Sequence, residues 1–86
     1  MAFHESLKFF TQAQKIMPGG VSSPARAFSF VDHPPPIITK AKGSKIWDLD
    51  GNCYTDYVCS WGATILGHAH TSILETLFQT AEKGLT

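Results

Sequence analysis

Arg26 is the sole arginine in 86 residues, and it sits in a Pro/Gly-rich loop rather than on a solvated helix face. A planar guanidinium grips a carboxylate through two parallel hydrogen bonds, so this position suits recognition of a small carboxylate-bearing molecule; a surface arginine paired locally satisfies the same pattern. Ser23, three residues earlier, offers either a hydroxyl donor to that carboxylate or a cap on the local turn, as Ser before Pro often does. Trp61 follows at the exit of a strand-like run, where a large aromatic fits a core as well as a binding surface. Cys53, Cys59, His68 and His70 raise the question of zinc, but the two cysteines stand six apart and match no common zinc spacing, so no metal site is expected. Asp48, Asp50 and Asp56 resemble a carboxylate cluster for acid–base work. Turn chemistry accounts for Asp50, and strand ends account for Asp48 and Asp56, so structural roles are expected for all three.

The elements that must position these groups are legible from periodicity. Phe3, Leu7, Phe10, Ala13 and Met17 recur at three- and four-residue spacing, which predicts a helix over residues 3–17 with those side chains on its apolar face. Pro18-Gly19-Gly20 stops it. Residues 21–36 hold four prolines and read as irregular chain, with a short extended piece at 27–31. Three β-like runs follow at 37–41, 44–49 and 53–58, separated by Lys42-Gly43 and Asp50-Gly51-Asn52, which is the pattern of a meander. Residues 60–70 read as loop. A second helix follows, with Ser72 as its cap, Glu75 completing a capping box, Ile73, Leu74, Leu77, Phe78 and Ala81 as its apolar face, and Gly84 at its end. Placed on one strand, Cys53 and Cys59 cannot meet, so both are expected as free thiols.

Composition bounds the function. Hydrophobic residues at 43% and charged residues at 16% fit a folded chain, though one this short buries only about 60–65% of its unfolded surface. Seven basic and seven acidic side chains cancel, and Lys and Arg form no run, so nucleic acid and anionic lipid are poor partners. The longest uncharged stretch is broken by Gly62, Gly67, His68 and His70 and cannot supply the ~20 apolar residues of a membrane span. The start shows neither a secretory signal nor a transit-peptide bias, so a cytoplasmic protein is expected.

Three segments, in order and at matching spacing, resemble the amino-terminal region of the glutamate-1-semialdehyde aminomutases, in the class III aminotransferase group of fold-type I pyridoxal-phosphate enzymes. They are Pro18-Gly19-Gly20-Val21-Ser22-Ser23-Pro24-Ala25-Arg26, the Asp48-Leu49-Asp50-Gly51-Asn52-Cys53-Tyr54-Thr55-Asp56 hairpin, and Ser60-Trp61-Gly62 with Gly67-His68-Ala69-His70. The hairpin marks the group as a whole; the other two favour the aminomutases over a related ω-aminotransferase. Departures are modest: Ser22 for Asn, Ala25 for Val, Ala63 for Pro and Thr71 for Pro.

The resemblance implies an α+β fragment of a larger transferase: helix, irregular Pro/Gly loop, three-stranded antiparallel meander, second helix, with the remainder of the enzyme absent from residues 1–86. It implies that Arg26 binds the substrate carboxylate, that Ser23 assists it, and that Trp61 lines the substrate pocket. It treats His68 and His70 as structure of the loop and helix entry. The implied reaction moves an amino group between neighbouring carbons, turning glutamate-1-semialdehyde into 5-aminolevulinate for tetrapyrrole synthesis. The cofactor would be pyridoxal 5'-phosphate, and the complete enzyme a homodimer. The Schiff-base lysine and the cofactor-binding groups would lie outside this segment, because Lys8, Lys15, Lys40, Lys42, Lys45 and Lys83 all read as solvated charges. Alone the segment is expected to be inactive; a non-catalytic module that docks on a full-length relative is the alternative from another class.

Overall fold

The computed structural model describes residues 2–85. The described residues form two α-helices, α1 (His4–Ala13) and α2 (Thr71–Ala81), and a three-stranded sheet of β1 (Ile38–Lys42), β2 (Lys45–Asp48) and β3 (Cys53–Thr55) in the order β1-β2-β3. This is the expected meander, with β1 offset by one residue from its predicted run and β2 and β3 shorter than theirs. The chain divides into two compact units, Met1–Lys40 with Trp47–Cys53, and Ala41–Ile46 with Tyr54–Thr86.

In the first unit, α1 ends four residues short of the predicted boundary. Pro18 disfavours helical backbone at Met17, which is extended at φ −135° and ψ 140°, and the last turns tighten through Lys15 and Ile16 amides donating to the carbonyls of Gln12 and Ala13. The predicted apolar face is only partly used: Ala13 is buried and Phe3 and Phe10 are half-buried, but Leu7 is exposed. The fully buried side chain on this helix is instead Ser6, whose Oγ accepts the Ile37 amide at 3.0 Å. Its N-terminus is capped from the β2–β3 turn. Asp50 accepts the amides of Glu5 (2.7 Å) and Ser6 (3.0 Å), satisfying donors that the helix cannot pair internally.

Gly20, at φ 75°, packs beneath the same helix. A Cβ there would stand 2.8 Å from both Phe10 Cε1 and Gln14 Cγ, so only glycine fits.

The extended piece expected at 27–31 is absent. Pro24 starts a 3₁₀ turn, Pro24–Ala27, closed by the Arg26 amide on the Ser23 carbonyl (3.0 Å), and Phe28 then turns left-handed at φ 56°. His33 stacks on Phe3 with centroids 4.9 Å apart and meets Phe28 edge-on at 5.7 Å. In the β2–β3 turn it is Asp48, only 3% exposed, that organises the backbone. One of its oxygens accepts the amides of Asp50 (3.0 Å) and Asn52 (2.9 Å), the other the Asn52 side chain (3.0 Å). The local bonding expected of Asp50 belongs to Asp48.

In the second unit, β3 stops at Thr55 because Asp56 turns the chain, its carboxylate accepting the amides of Val58 (3.0 Å) and Cys59 (3.1 Å). Residues 60–70 are more ordered than a plain loop. A tight turn spans Cys59–Gly62, and an isolated antiparallel bridge joins Gly43 to His68, with reciprocal bonds of 2.9 and 2.8 Å. Cys59 therefore lies off β3, and both cysteines are free thiols.

Helix α2 begins two residues before the predicted start. His70 takes the cap position with extended backbone and no side-chain cap bond, which overturns the capping box of Ser72 and Glu75. Ser72 is instead inside the first turn, its carbonyl accepting Thr76 Oγ1 at 3.1 Å. Glu82 is the C-cap, and the left-handed Gly84 (φ 119°) follows two residues later. On the predicted apolar face Leu74 and Ala81 are half-buried while Ile73, Leu77 and Phe78 remain exposed. Among the described residues no helix is long and apolar enough to cross a membrane.

Candidate functional site

Arg26 and Ser23 belong to the first unit. The loop that carries them walls a cavity of about 500 Å³ lined by Pro18, Gly19, Val21, Ser22, Ser23 and Pro24. Proline at two positions and the left-handed Gly19 (φ 69°) fix the curve of this wall with little conformational freedom to lose. Ser23 is half-buried with extended backbone, its carbonyl closes the 3₁₀ turn, and its hydroxyl makes no capping bond. Arg26 is exposed, and its Nη1 donates to Ser22 Oγ at 3.3 Å. Ser22 was not among the expected site residues. Its place four residues before Arg26 is the available signal, and this neutral partner leaves the guanidinium charge unpaired by Ser22.

Trp61 belongs to the second unit and is 92% exposed, so here it is a surface ring and not core. It is presented by an unusual backbone. Cys59, Ser60 and Trp61 have φ of 54°, 53° and 60°, followed by Gly62 at 93°. Left-handed backbone costs non-glycine residues roughly 1–2 kcal/mol each, so three in a row require compensation from their surroundings.

Asp56 supplies part of that compensation. Its Oδ1 accepts the Val58 and Cys59 amides at the entrance to the run, its backbone carbonyl accepts Cys59 Sγ at 3.5 Å, and its Oδ2 lies 2.6 Å from His68 Nε2. The hydrogen bond from His68, then that from the Cys59 amide, hold the Asp56 carboxyl below the usual carboxylate range; desolvation opposes them and the Val58 amide adds to them. Both members of the pair are largely shielded, with side chains 21% (His68) and 13% (Asp56) exposed. Beside them is a smaller cavity of about 330 Å³ whose walls include Gly43, Cys59, Thr64 and His68. The pair links residues 12 apart, and the Gly43–His68 bridge that brings them together leaves no mark in local periodicity.

The lysines are all exposed. Lys40 lies over the Trp47 ring at 4.7 Å, Lys42 donates to the Ala69 carbonyl (3.0 Å), and Lys45 donates to Thr55 Oγ1 (2.6 Å). None is a shielded amine of the kind a Schiff base needs, so these residues do not themselves fit pyridoxal phosphate. Among the described residues no three His, Cys, Asp or Glu side chains gather as a metal site.

Residues 29–86 match the family Aminotransferase class-III. The chain belongs to the class III aminotransferases. Among curated relatives, it is 52% identical over 85 residues to a glutamate-1-semialdehyde 2,1-aminomutase of Desulforamulus reducens, which covers 99% of this chain and 20% of that protein. It is 58% identical over 80 residues to the aminomutase of Thermodesulfovibrio yellowstonii, covering 93% and 19%. In structure it superposes on a transaminase with PLP bound at a TM-score of 0.84, with 26% identity, over 98% of this chain and 19% of that one. The chain thus spans about a fifth of the length of the class III relatives it matches.

Proposed function

We propose that residues 1–86 are the amino-terminal segment of a pyridoxal-phosphate-dependent glutamate-1-semialdehyde 2,1-aminomutase, an isomerase that forms 5-aminolevulinate for tetrapyrrole synthesis. The observation that carries this reading is the identity of 52% and 58% to two aminomutases, over 99% and 93% of this chain. The first of those alignments runs over 99% of the chain and so includes the Arg26 loop, which precedes the stretch matched by the class III family.

In this reading Arg26 and Ser23 bind the substrate carboxylate: the guanidinium through two parallel charged hydrogen bonds, the hydroxyl as a further donor. Ser22 holds one edge of the guanidinium and leaves the rest to the substrate. Trp61 is a substrate-pocket residue of the complete enzyme, its large aromatic ring suited to contact with the carbon chain. Pyridoxal phosphate, when bound, supplies the electron sink for the amino transfer, and its lysine and phosphate-binding groups come from the rest of the enzyme. The substrate is a small molecule, the complete enzyme a cytoplasmic homodimer, and the segment alone inactive. The exposed Ile73, Leu77 and Phe78 on α2 favour cover by the rest of the enzyme over an independent docking module.

The test is a chimera in which residues 2–85 replace the matching segment of the Desulforamulus reducens aminomutase. It should form 5-aminolevulinate from glutamate-1-semialdehyde at a rate near that of the parent. A chimera that folds and binds pyridoxal phosphate yet transaminates ω-amino acids in place of this reaction would reject the aminomutase assignment in favour of the transaminase one.

A further inference from the structure

We propose that the Asp56–His68 pair is a positioning device for Trp61: the histidine holds the aspartate in place, and the aspartate fixes the left-handed run that sets the direction of the indole. The inference rests on the reading of Trp61 as a pocket residue. Three observations converge on it. The run Cys59, Ser60, Trp61 is left-handed at three successive side-chain-bearing residues, a conformation that such residues leave unless it is held. The first of them is held by Asp56 through its own amide, and the amide before it ends on the same carboxylate oxygen. The other oxygen of that carboxylate is occupied by His68 at 2.6 Å, and His68 is itself anchored by backbone bonds to Gly43 on both its amide and its carbonyl.

Anchored backbone, imidazole, carboxylate and strained turn therefore form one chain of contacts that ends at the Trp61 backbone, where the amide donates to the Val58 carbonyl at 3.1 Å. Gly67 tightens the anchor. A Cβ there would come within 3.0 Å of the Gly43 carbonyl oxygen, so the residue before His68 is compressed against the strand end. Neither Asp56 nor His68 needs to touch substrate for this; each acts through Trp61.

The side-chain link can be cut without cutting the backbone bridge. His68→Phe keeps the ring volume and both bonds to Gly43 but cannot donate to Asp56, whereas His68→Gln retains an amide donor of similar reach. In the chimera, kcat/KM for glutamate-1-semialdehyde is measured for H68F, W61A and the double variant, with H68Q as rescue. If the pair acts through Trp61, H68F lowers kcat/KM by about tenfold, H68Q recovers most of that loss, and the double variant matches W61A within about twofold, because coupled residues do not lose activity multiplicatively. A double variant that loses the product of the two single effects, an H68F chimera with parental kinetics, or one that fails to fold each overturns the proposal. If W61A alone leaves the kinetics intact, the pocket reading of Trp61 fails. The positioning claim is then decided by the 19F resonance of 5-fluorotryptophan at position 61, which must shift in H68F and return in H68Q; an unchanged resonance overturns it.

Discussion

Ser6 is tied to Asp50 across 44 positions of sequence, its amide donating to the Asp50 carboxylate at 3.0 Å while its own buried hydroxyl accepts the Ile37 amide at 3.0 Å. One small polar side chain thereby joins the start of α1 to the β2–β3 turn and to the entry of β1. Ser6→Ala keeps the first bond and orphans the Ile37 amide, and an unsatisfied buried donor costs about 1–3 kcal/mol. Chemical denaturation of the 86-residue chain should show that loss at unchanged m-value, and a midpoint equal to the parent's would show that water serves Ile37 instead.

Asp50→Asn and Asp56→Asn test the electrostatics through pH. Desolvation raises the Asp50 carboxyl and the Asp48 charge adds to it, but the amides of Glu5 and Ser6 together with the Ser6 hydroxyl outweigh them, so it lies below its usual 3.8, as Asp56 does for the reasons above. A carboxylate with a depressed folded-state value is protonated first in the unfolded chain. Its stabilisation is therefore complete above 3.8 and is lost as pH falls from there through the folded value. The parent should lose stability steadily from about pH 4 downwards, and each Asn variant should show a shallower slope. Equal slopes would mean that neither carboxylate is held in its charged form.

Gly20→Ala probes the packing under α1. The added methyl group has Phe10 and Gln14 in its way and the backbone is left-handed, so overpacking adds to φ strain. The expected cost is about 1–3 kcal/mol, seen as a fall in thermal midpoint. Gly51→Ala meets no atom within 4 Å, so only its φ of 83° is unfavourable and its loss should be the smaller of the two. The reverse order would remove the close contact from the account.

Element order was legible because it rests on local signals: the spacing of Phe3, Phe10 and Ala13, the Pro18-Gly19-Gly20 stop, the Asp-Gly turn, and the Leu74–Ala81 face. What escaped depends on contacts distant in sequence. Asp50 looks like a turn residue and serves as a helix cap, a role visible only once β2 and β3 bring it to residues 5 and 6. Ser72 has the side chain of a cap, yet α2 starts at Thr71, since the Leu74 amide already finds the His70 carbonyl at 3.0 Å. The left-handed run at Cys59 to Trp61 could not be read because none of those residue types favours positive φ; its first amide is held by the nearby Asp56 carboxylate, which His68 binds from 12 residues away. Arg26, Ser23 and Trp61 stand out in the sequence as candidates by type and context, whereas the Arg26–Ser22 and Asp56–His68 bonds appear only in the structure.

The central claim is that the loop around Arg26 receives the substrate carboxylate, and its most direct test is the KM for glutamate-1-semialdehyde in the chimera bearing Arg26→Ala. Hydrogen bonds to a charged group contribute about 1.5–3 kcal/mol, so the account predicts a KM raised about 10- to 100-fold, with kcat changed much less and Arg26→Lys recovering only part of the loss. A KM equal to the parent's would contradict it and leave Arg26 as a surface arginine paired with Ser22.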